Sequence, residues 1–125
     1  MKITCGTDII EIERIKEAIE SLGEKFLKRV YTQTEIDYCN SKNKAKYQHF
    51  AARFAAKEAV FKALSNKIPD KYQIEWTNIE IKNQEQGKPY VCLRAIQIPT
   101  IENIDISLSH CKTYAVANAI VTYKE

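Results

Sequence analysis

Four charged residues stand close together among the alanines and phenylalanines of residues 50–64: Arg53, Lys57, Glu58 and Lys62. At about 100° per helical residue, Lys57 shares the apolar face of Phe50 and Leu64. An ammonium on such a face must reach solvent along its own stem or pair with an anion. The group therefore indicates a site for a charged ligand at the edge of the core.

Glu58 and Lys62 lie four residues apart on the flank of that face. They fit an exposed ion pair that stabilises a helix by about 0.2–0.5 kcal/mol. They also fit a carboxylate and a cation that bind a charged substrate. The spacing alone leaves both interpretations open.

Asp8 is a second unusual charge, because it stands between the apolar residues 3–5 and 9–10. Taken alone, it fits a helix cap or a turn former. Together with Glu58 it would supply two oxygen ligands for Mg²⁺, which takes one or two carboxylates besides waters and substrate phosphates. The sequence does not show whether the two carboxylates meet.

The first half of the chain has helical patterns that would position these residues. Residues 2–10 are rich in β-formers and predict a strand that ends at Asp8. Apolar residues at helical spacing begin after Glu13, and Gly23 is expected to break or bend that helix. Thr32 and Glu35 match a capping box at the start of a second helix. A third helix is predicted over 46–65 and is ended by Pro69.

The second half alternates in the manner of strands. Strands are predicted over 74–81, with an irregularity near 77–78, and over 90–98, 104–109 and 114–123. Residues 86–89 have the composition of a turn. The chain is therefore expected to be an α+β protein with an antiparallel sheet mostly in its second half.

Composition predicts one globular domain over residues 1–125. Of the 125 residues, 45% are hydrophobic and 28% charged, an ordinary globular balance. No apolar run approaches the roughly 20 residues of a membrane span, and the first residues lack the apolar stretch of a signal peptide, so a cytoplasmic protein is expected. The spacing of the four cysteines and two histidines predicts free thiols and no zinc site.

The net charge of +3 is concentrated in the first half. Together with the aromatic residues, it permits a small nucleic-acid-binding domain. No aromatic–basic strand motif supports that alternative. A module that binds a ligand without turnover is the other alternative, and product formation with Mg²⁺ would separate both from an enzyme.

Three segments in order resemble the holo-[acyl-carrier-protein] synthases, the small bacterial group of 4′-phosphopantetheinyl transferases. They are GTDIIEIERI (6–15), RFAAKEAVFKA (53–63), which is similar to the family's F-A-x-K-E-A-x-x-K helix, and ISLSH (106–110). The turn GKP (87–89) matches as well. The resemblance covers essentially the whole chain.

The resemblance implies Mg²⁺-dependent transfer of the phosphopantetheine arm of coenzyme A to a serine of apo acyl carrier protein, in fatty acid biosynthesis. Asp8 and Glu58 would hold the metal. The base would be Lys62, Glu58 or a metal-bound water, and a phosphate neighbour favours a cationic Lys62. Coenzyme A contacts are expected from these residues: Arg53, Lys57, Lys62, Gly87, Lys88, Pro89 and His110. For Arg53 and Lys57 a role in positioning the helix is the alternative, and for His110 and His49 a purely structural role.

The resemblance also implies two interfaces. A basic set with one apolar anchor would dock the acidic carrier protein: Arg14, Lys25, Phe26, Lys28 and Arg29. A homotrimer with sites between subunits is expected, consistent with an exposed apolar sheet face over residues 114–121.

Overall fold

The structure is a computed structural model that describes residues 1–70 and 73–124. Its helices are α1 (Ile12–Leu22), α2 (Glu24–Val30), α3 (Gln33–Asn40) and α4 (Lys46–Leu64). Its strands are β1 (Lys2–Glu11), β2 (Ile79–Asn83), β3 (Pro89–Leu93), β4 (Ile101–His110) and β5 (Tyr114–Tyr123). Both sheets are antiparallel, one in the order β1-β5-β4 and the other the pair β2-β3. The expected α+β class is confirmed.

Helix α4 packs on β1 and β5 and is the centre of the core. Small side chains allow the helix to approach the strands closely, and these alanines are buried: Ala52, Ala55, Ala56, Ala59 and Ala63. Gly6 of β1 completes the fit, because a Cβ placed on it would lie 2.0 Å from the carbonyl oxygen of Ala59. A side chain at residue 6 would therefore push β1 away from α4.

The local sequence signals for helix boundaries are confirmed. Gly23 separates α1 from α2 with a φ of 59°. The capping box is present, since Thr32 accepts from the backbone N–H of Glu35 and the Glu35 side chain accepts from the backbone N–H of Thr32. Helix α4 ends at Leu64, one residue before the predicted end, and a 3-10 turn follows.

Several strand boundaries differ from the prediction, among them the start of β4, which is Ile101 rather than residue 104. Strand β1 continues through Asp8 to Glu11, because the whole segment pairs with β5. The irregularity predicted near 77–78 is a 3-10 turn, Trp76–Asn78, that precedes β2. Strand β3 ends at Leu93 rather than near Ile98, since its pairing with β2 stops there.

The apolar face predicted for α4 is only part of its buried surface. Phe50, Lys57 and Leu64 on that face are buried, and so are residues on other sides of the helix such as Ala52 and Ala59. The reason is that α3, the segment before β2 and the sheet together cover α4 almost all round.

The face of the three-stranded sheet opposite α4 is exposed and partly apolar. Along β5 the buried residues alternate with exposed ones such as Ile120. On β1 the side chains of Ile3 and Ile9 are 61% and 63% exposed. All four cysteines are free, and Cys5 and Cys111 are exposed. Within residues 1–70 and 73–124, no helix has the length and apolar character needed to cross a membrane.

Candidate active site

Asp8 and Lys62 meet where β1 crosses α4. The Lys62 ammonium donates to the carbonyl oxygen of Thr7 at 2.9 Å and to Oδ1 of Asp8 at 3.1 Å. The Asp8 side chain is 17% exposed and that of Lys62 51%. The close approach at Gly6, two residues before Asp8, brings the carboxylate to the helix. Lys62 therefore pairs with a residue distant in sequence instead of with Glu58.

Glu58 lies one helical turn before Lys62 and completes the cluster. Partial burial raises the pKa of Glu58 above its ordinary value of 4.5, the Asp8 carboxylate raises it further, and Lys62 opposes them. The two carboxylates thus share one electrostatic environment. The two carboxylates can bind a metal cation. Together with the ammonium, they can also bind an anionic ligand that is complexed with such a cation.

The oxygen donors of this cluster fit Mg²⁺. Two carboxylates are within the number that Mg²⁺ takes from a protein when substrate phosphates and waters supply the rest. Among the residues that the structure describes, no group of three or more His, Cys, Asp or Glu could hold a metal alone. The donor set is therefore that of a site shared with a phosphate ligand.

Glu58 also lines a cavity of about 190 Å³ between α4 and the segment before β2. Its other walls come mainly from aromatic and aliphatic residues that include Phe61, Trp76 and Ile79, and Lys57 and Glu75 complete the lining. The Trp76 ring stacks on Phe54 with centroids 4.7 Å apart. An apolar cavity directly beside a half-buried carboxylate can exclude water from a reaction at that carboxylate.

A second cavity, of about 380 Å³, collects most of the residues predicted to contact coenzyme A. Five of them line it: Arg53, Gly87, Lys88, Pro89 and His110. The turn that carries three of these requires Gly87, whose φ of 98° is in the left-handed region. Three further lining residues, Tyr38, His49 and Asn83, carried no sequence signal, because α3, α4 and β2 bring them together only in the fold.

Arg53 is buried at the floor of this second cavity. Its guanidinium lies 4.2 Å from the centroid of the Tyr38 ring and donates through Nη2 to Oδ1 of Asn83. Its Nε is buried and has no hydrogen-bond partner. A charged group with an unused donor on a cavity wall is available for an anion.

His49 and His110 face each other in the same cavity with ring centroids 5.8 Å apart. Burial, together with the smaller effects of Arg53, Lys42 and His110, lowers the pKa of His49 from 6.5 to about 4. His49 is therefore neutral at pH 7. His49, for which a structural role was expected, therefore lies beside His110, the expected ligand contact.

Lys57 lines the smaller cavity beside Glu58, but its side chain is fully buried. Its ammonium donates to Oε1 of Glu35 at 2.8 Å and to the carbonyl oxygens of Trp76 and Ile79 at 3.1 and 2.6 Å. Burial lowers its pKa from 10.5, while Glu35 opposes that shift. All three N–H groups are used, so none is left for a phosphate in this structure. Of the two roles expected for Lys57, positioning is the one that fits.

The predicted docking set lies on and beside α1 and α2. Arg14 bonds to Glu11, and Lys28 lies 3.6 Å from Glu24 in an exposed pair. Lys25 and Arg29 are exposed. Phe26 is partly buried against the Tyr31 ring, with centroids 6.2 Å apart, so it is not a free apolar anchor. The residue that sequence reasoning missed is Leu22, which is 55% exposed at the end of α1.

Comparisons with known proteins agree on one family. Residues 4–119 match the family model of the 4′-phosphopantetheinyl transferase superfamily. The chain is similar to a holo-[acyl-carrier-protein] synthase of Ruminiclostridium cellulolyticum, 46% identical, with 98% of this chain and 93% of the relative covered. It is also similar to one of Protochlamydia amoebophila, 44% identical over 96% of this chain and 98% of the relative.

Two solved structures share the fold. One is an ACPS-CoA complex from Chronobacterium ammoniagenes, with a TM-score of 0.86, 25% identity and complete coverage of both chains. The other is a holo-(acyl-carrier-protein) synthase from Bacillus anthracis in complex with CoA (3′,5′-ADP), with a TM-score of 0.76, 32% identity and 94% of each chain covered.

Proposed function

The chain belongs to the holo-[acyl-carrier-protein] synthases of the 4′-phosphopantetheinyl transferase superfamily, and we propose that it transfers the phosphopantetheine arm of coenzyme A to a serine hydroxyl of an apo acyl carrier protein. The new bond joins the serine oxygen to the β-phosphorus of coenzyme A. The bond from that phosphorus to the bridging oxygen breaks, and adenosine 3′,5′-bisphosphate leaves. The proton of the serine hydroxyl passes to a base of the protein.

The observation that carries this proposal is the meeting of Asp8, Glu58 and Lys62 at the crossing of β1 and α4. Asp8 and Glu58 would hold Mg²⁺ together with the pyrophosphate of coenzyme A. When bound, the ion neutralises charge on the phosphate oxygens and orients the displacement. A site of two carboxylates needs that substrate to complete its ligands.

Lys62 acts as a cation in this proposal. Its contacts with the Asp8 carboxylate and the Thr7 carbonyl aim the ammonium across the cluster. It stabilises negative charge on the phosphoryl oxygens as the bond to the bridging oxygen breaks. Glu58 is then the carboxylate that accepts the serine proton, with the apolar cavity beside it excluding water.

The second cavity binds the adenosine bisphosphate part of coenzyme A. Arg53, Lys88 and His110 offer it cationic and hydrogen-bonding groups, and the Gly87 turn lets the backbone approach the ligand. The solved relatives from Chronobacterium ammoniagenes and Bacillus anthracis are complexes with CoA. Their likeness to this chain supports the same substrate here.

The partners follow from the same family. The acidic carrier protein docks on the basic residues of α1 and α2, with Leu22 as the exposed apolar contact. The exposed sheet face of Ile3, Ile9 and Ile120 is buried in a homotrimer. The chain acts as one domain over residues 1–125, in the cytoplasm, where it supplies holo carrier protein for fatty acid biosynthesis.

The test is intact mass spectrometry of an apo acyl carrier protein incubated with this protein, coenzyme A and Mg²⁺. We expect the carrier to gain one phosphopantetheine and EDTA to abolish the gain. A carrier serine-to-alanine variant is the control for the acceptor. No gain from the folded protein with several carriers would overturn the proposal and favour a module that binds without turnover.

A separate experiment tests the docking surface. Replacing Lys25, Lys28 and Arg29 by Glu should raise the KM for the carrier protein and remove most of its salt dependence, while the KM for coenzyme A stays the same. Equal carrier titrations for variant and parent would place the docking surface elsewhere.

A further inference from the structure

Lys57 and Glu35 form a buried ion pair for which the proposed reaction has no direct use. Both side chains are 0% exposed, and the ammonium and carboxylate lie 2.8 Å apart. Lys57 directly precedes Glu58 on α4, whereas Glu35 is at the start of α3. A pair of this kind adds little net stability over well-packed apolar side chains of the same size. Stability alone therefore does not explain why charges stand here.

The pair covers the free edge of β2. Within residues 1–70 and 73–124, β3 is the one strand that pairs with β2, so the backbone groups on the other edge of β2 have no strand partner there. Glu35 accepts from the N–H of Ile81 at 2.7 Å, and Lys57 donates to the carbonyl oxygen of Ile79. The two side chains thus take the place of a neighbouring strand.

The same ammonium holds the 3-10 turn that precedes β2. It donates to the carbonyl oxygen of Trp76, whose ring forms part of the wall opposite Glu58 in the apolar cavity. A second contact anchors this region, because Thr32 donates to Oε2 of Glu80 at 2.6 Å. An apolar side chain at residue 57 would fill the space but would leave the Trp76 and Ile79 carbonyls without this donor.

We infer that Lys57, together with Glu35, is a positioning residue for the reaction: it fixes residues 76–79 against α4 and so sets the width of the cavity beside Glu58. The inference rests on the proposed function for its kinetic part. Lys57 lines this cavity with its ammonium fully bonded to protein groups, and it acts through the wall that carries Trp76. A small displacement of this wall is expected to lower the reaction rate, because a shift of about 1 Å at a reacting group can lower the rate about 10²-fold.

The fluorescence of Trp76 reports on the position of this wall, because Trp76 is the single tryptophan of the chain. The variant is the double substitution Lys57→Met with Glu35→Gln, which removes both charges together and leaves no unpaired buried charge. Acrylamide quenching of Trp76 fluorescence is measured beside kcat and KM for each substrate. The matched control is Val121→Ala, a core substitution in β5 that lines neither cavity.

We expect quenching of Trp76 to increase in the double variant and kcat/KM for coenzyme A to fall about tenfold or more, with the KM for the carrier unchanged. The control should lose stability in urea without either change. Unchanged quenching, or an equal kinetic loss in the control at matched stability, would overturn the inference. If the parent protein showed no transfer, the proposed function would fail by itself, while quenching would still decide whether Lys57 holds the wall.

Discussion

Two ion pairs on successive turns of α4 have opposite surroundings. Lys57 and Glu35 are both fully buried, whereas Lys62 is half exposed and Asp8 retains access to solvent. Both ammonium groups also bond to backbone carbonyl oxygens. The chemistry of the two contacts is therefore the same, and burial is what distinguishes them.

The difference separates structural from reactive charge. The buried pair has every donor satisfied, so removing one partner leaves an unpaired charge in the core. The exposed pair lies beside Glu58, whose pKa is raised by burial and by Asp8. A carboxylate whose ionisation is disfavoured by burial and by a neighbouring carboxylate is a poor source of stability and a good ligand for a cation. Substitutions at the two pairs should accordingly affect different quantities.

The largest effect is expected on activity at the exposed cluster. Asp8→Asn and Glu58→Gln each remove a metal-binding carboxylate, and transfer should fall by about 10²–10³-fold or more. Stability in urea at pH 7 should be unchanged for Glu58→Gln or slightly higher, because burial disfavours the charge that is removed. A rate near that of the parent in the double variant would exclude this cluster as the site.

The next effect is on stability at the buried pair. Glu35→Ala leaves Lys57 charged and unpaired in the core, and the free energy of unfolding should fall by about 3–5 kcal/mol. Urea denaturation monitored by circular dichroism measures it. The matched control is Glu24→Ala, which breaks the exposed contact with Lys28 and should cost less than about 1 kcal/mol. Equal losses would show that burial does not distinguish these pairs.

A smaller effect on both quantities is expected at Gly6, which determines how closely β1 approaches α4. In Gly6→Ala the added Cβ would lie 2.0 Å from the Ala59 carbonyl oxygen, so the strand must shift. Overpacking of this kind costs about 1–3 kcal/mol. It should also separate Asp8 from Lys62 and lower kcat. Urea denaturation and kcat are compared with those of Gly23→Ala, where a Cβ meets nothing within 4 Å and only the φ of 59° is strained.

The smallest effect concerns His49 and the pH dependence of stability. Its pKa is lowered from 6.5 to about 4 in the folded protein, so the unfolded chain binds the proton more readily. The free energy of unfolding therefore rises with pH between about 4 and 6.5. The part of it that is due to His49 is lost when the pH falls through that interval. His49→Gln should flatten that slope in urea denaturation measured across the interval. If the stability of the variant depended on pH as steeply as that of the parent, groups other than His49 would be its cause.

Local signals in the sequence marked Asp8, Glu58 and Lys62 as candidates, and the resemblance to a family motif supplied their expected roles. Lys57 on an apolar face had to pair with an anion or reach solvent, and the structure shows that it pairs. The identity of that anion was not predictable. Glu35 already had a local explanation as the third residue of a capping box, and its carboxylate performs both roles at once because α3 packs on α4 and β2.

The residues of the second cavity show the same limit. The match to a family motif indicated Gly87, Lys88, Pro89 and His110, but Tyr38, His49 and Asn83 have no pattern of their own. They come from elements far apart in the chain. Their proximity depends on the packing of α3 and β2 against α4, which no short window of sequence contains.

The sequence by itself determined the helix boundaries, the α+β class and the types of the reacting groups, because caps, glycine breaks and apolar periodicity act over a few residues. Only the tertiary structure decided which charges are buried and which remain accessible. Adjacent residues of α4 differ in this respect: Lys57 is fully buried between α3 and the segment before β2, while Glu58 is only partly buried. The neighbours that enclose a charge determine its desolvation, and desolvation determines whether the charge supports the fold or the reaction.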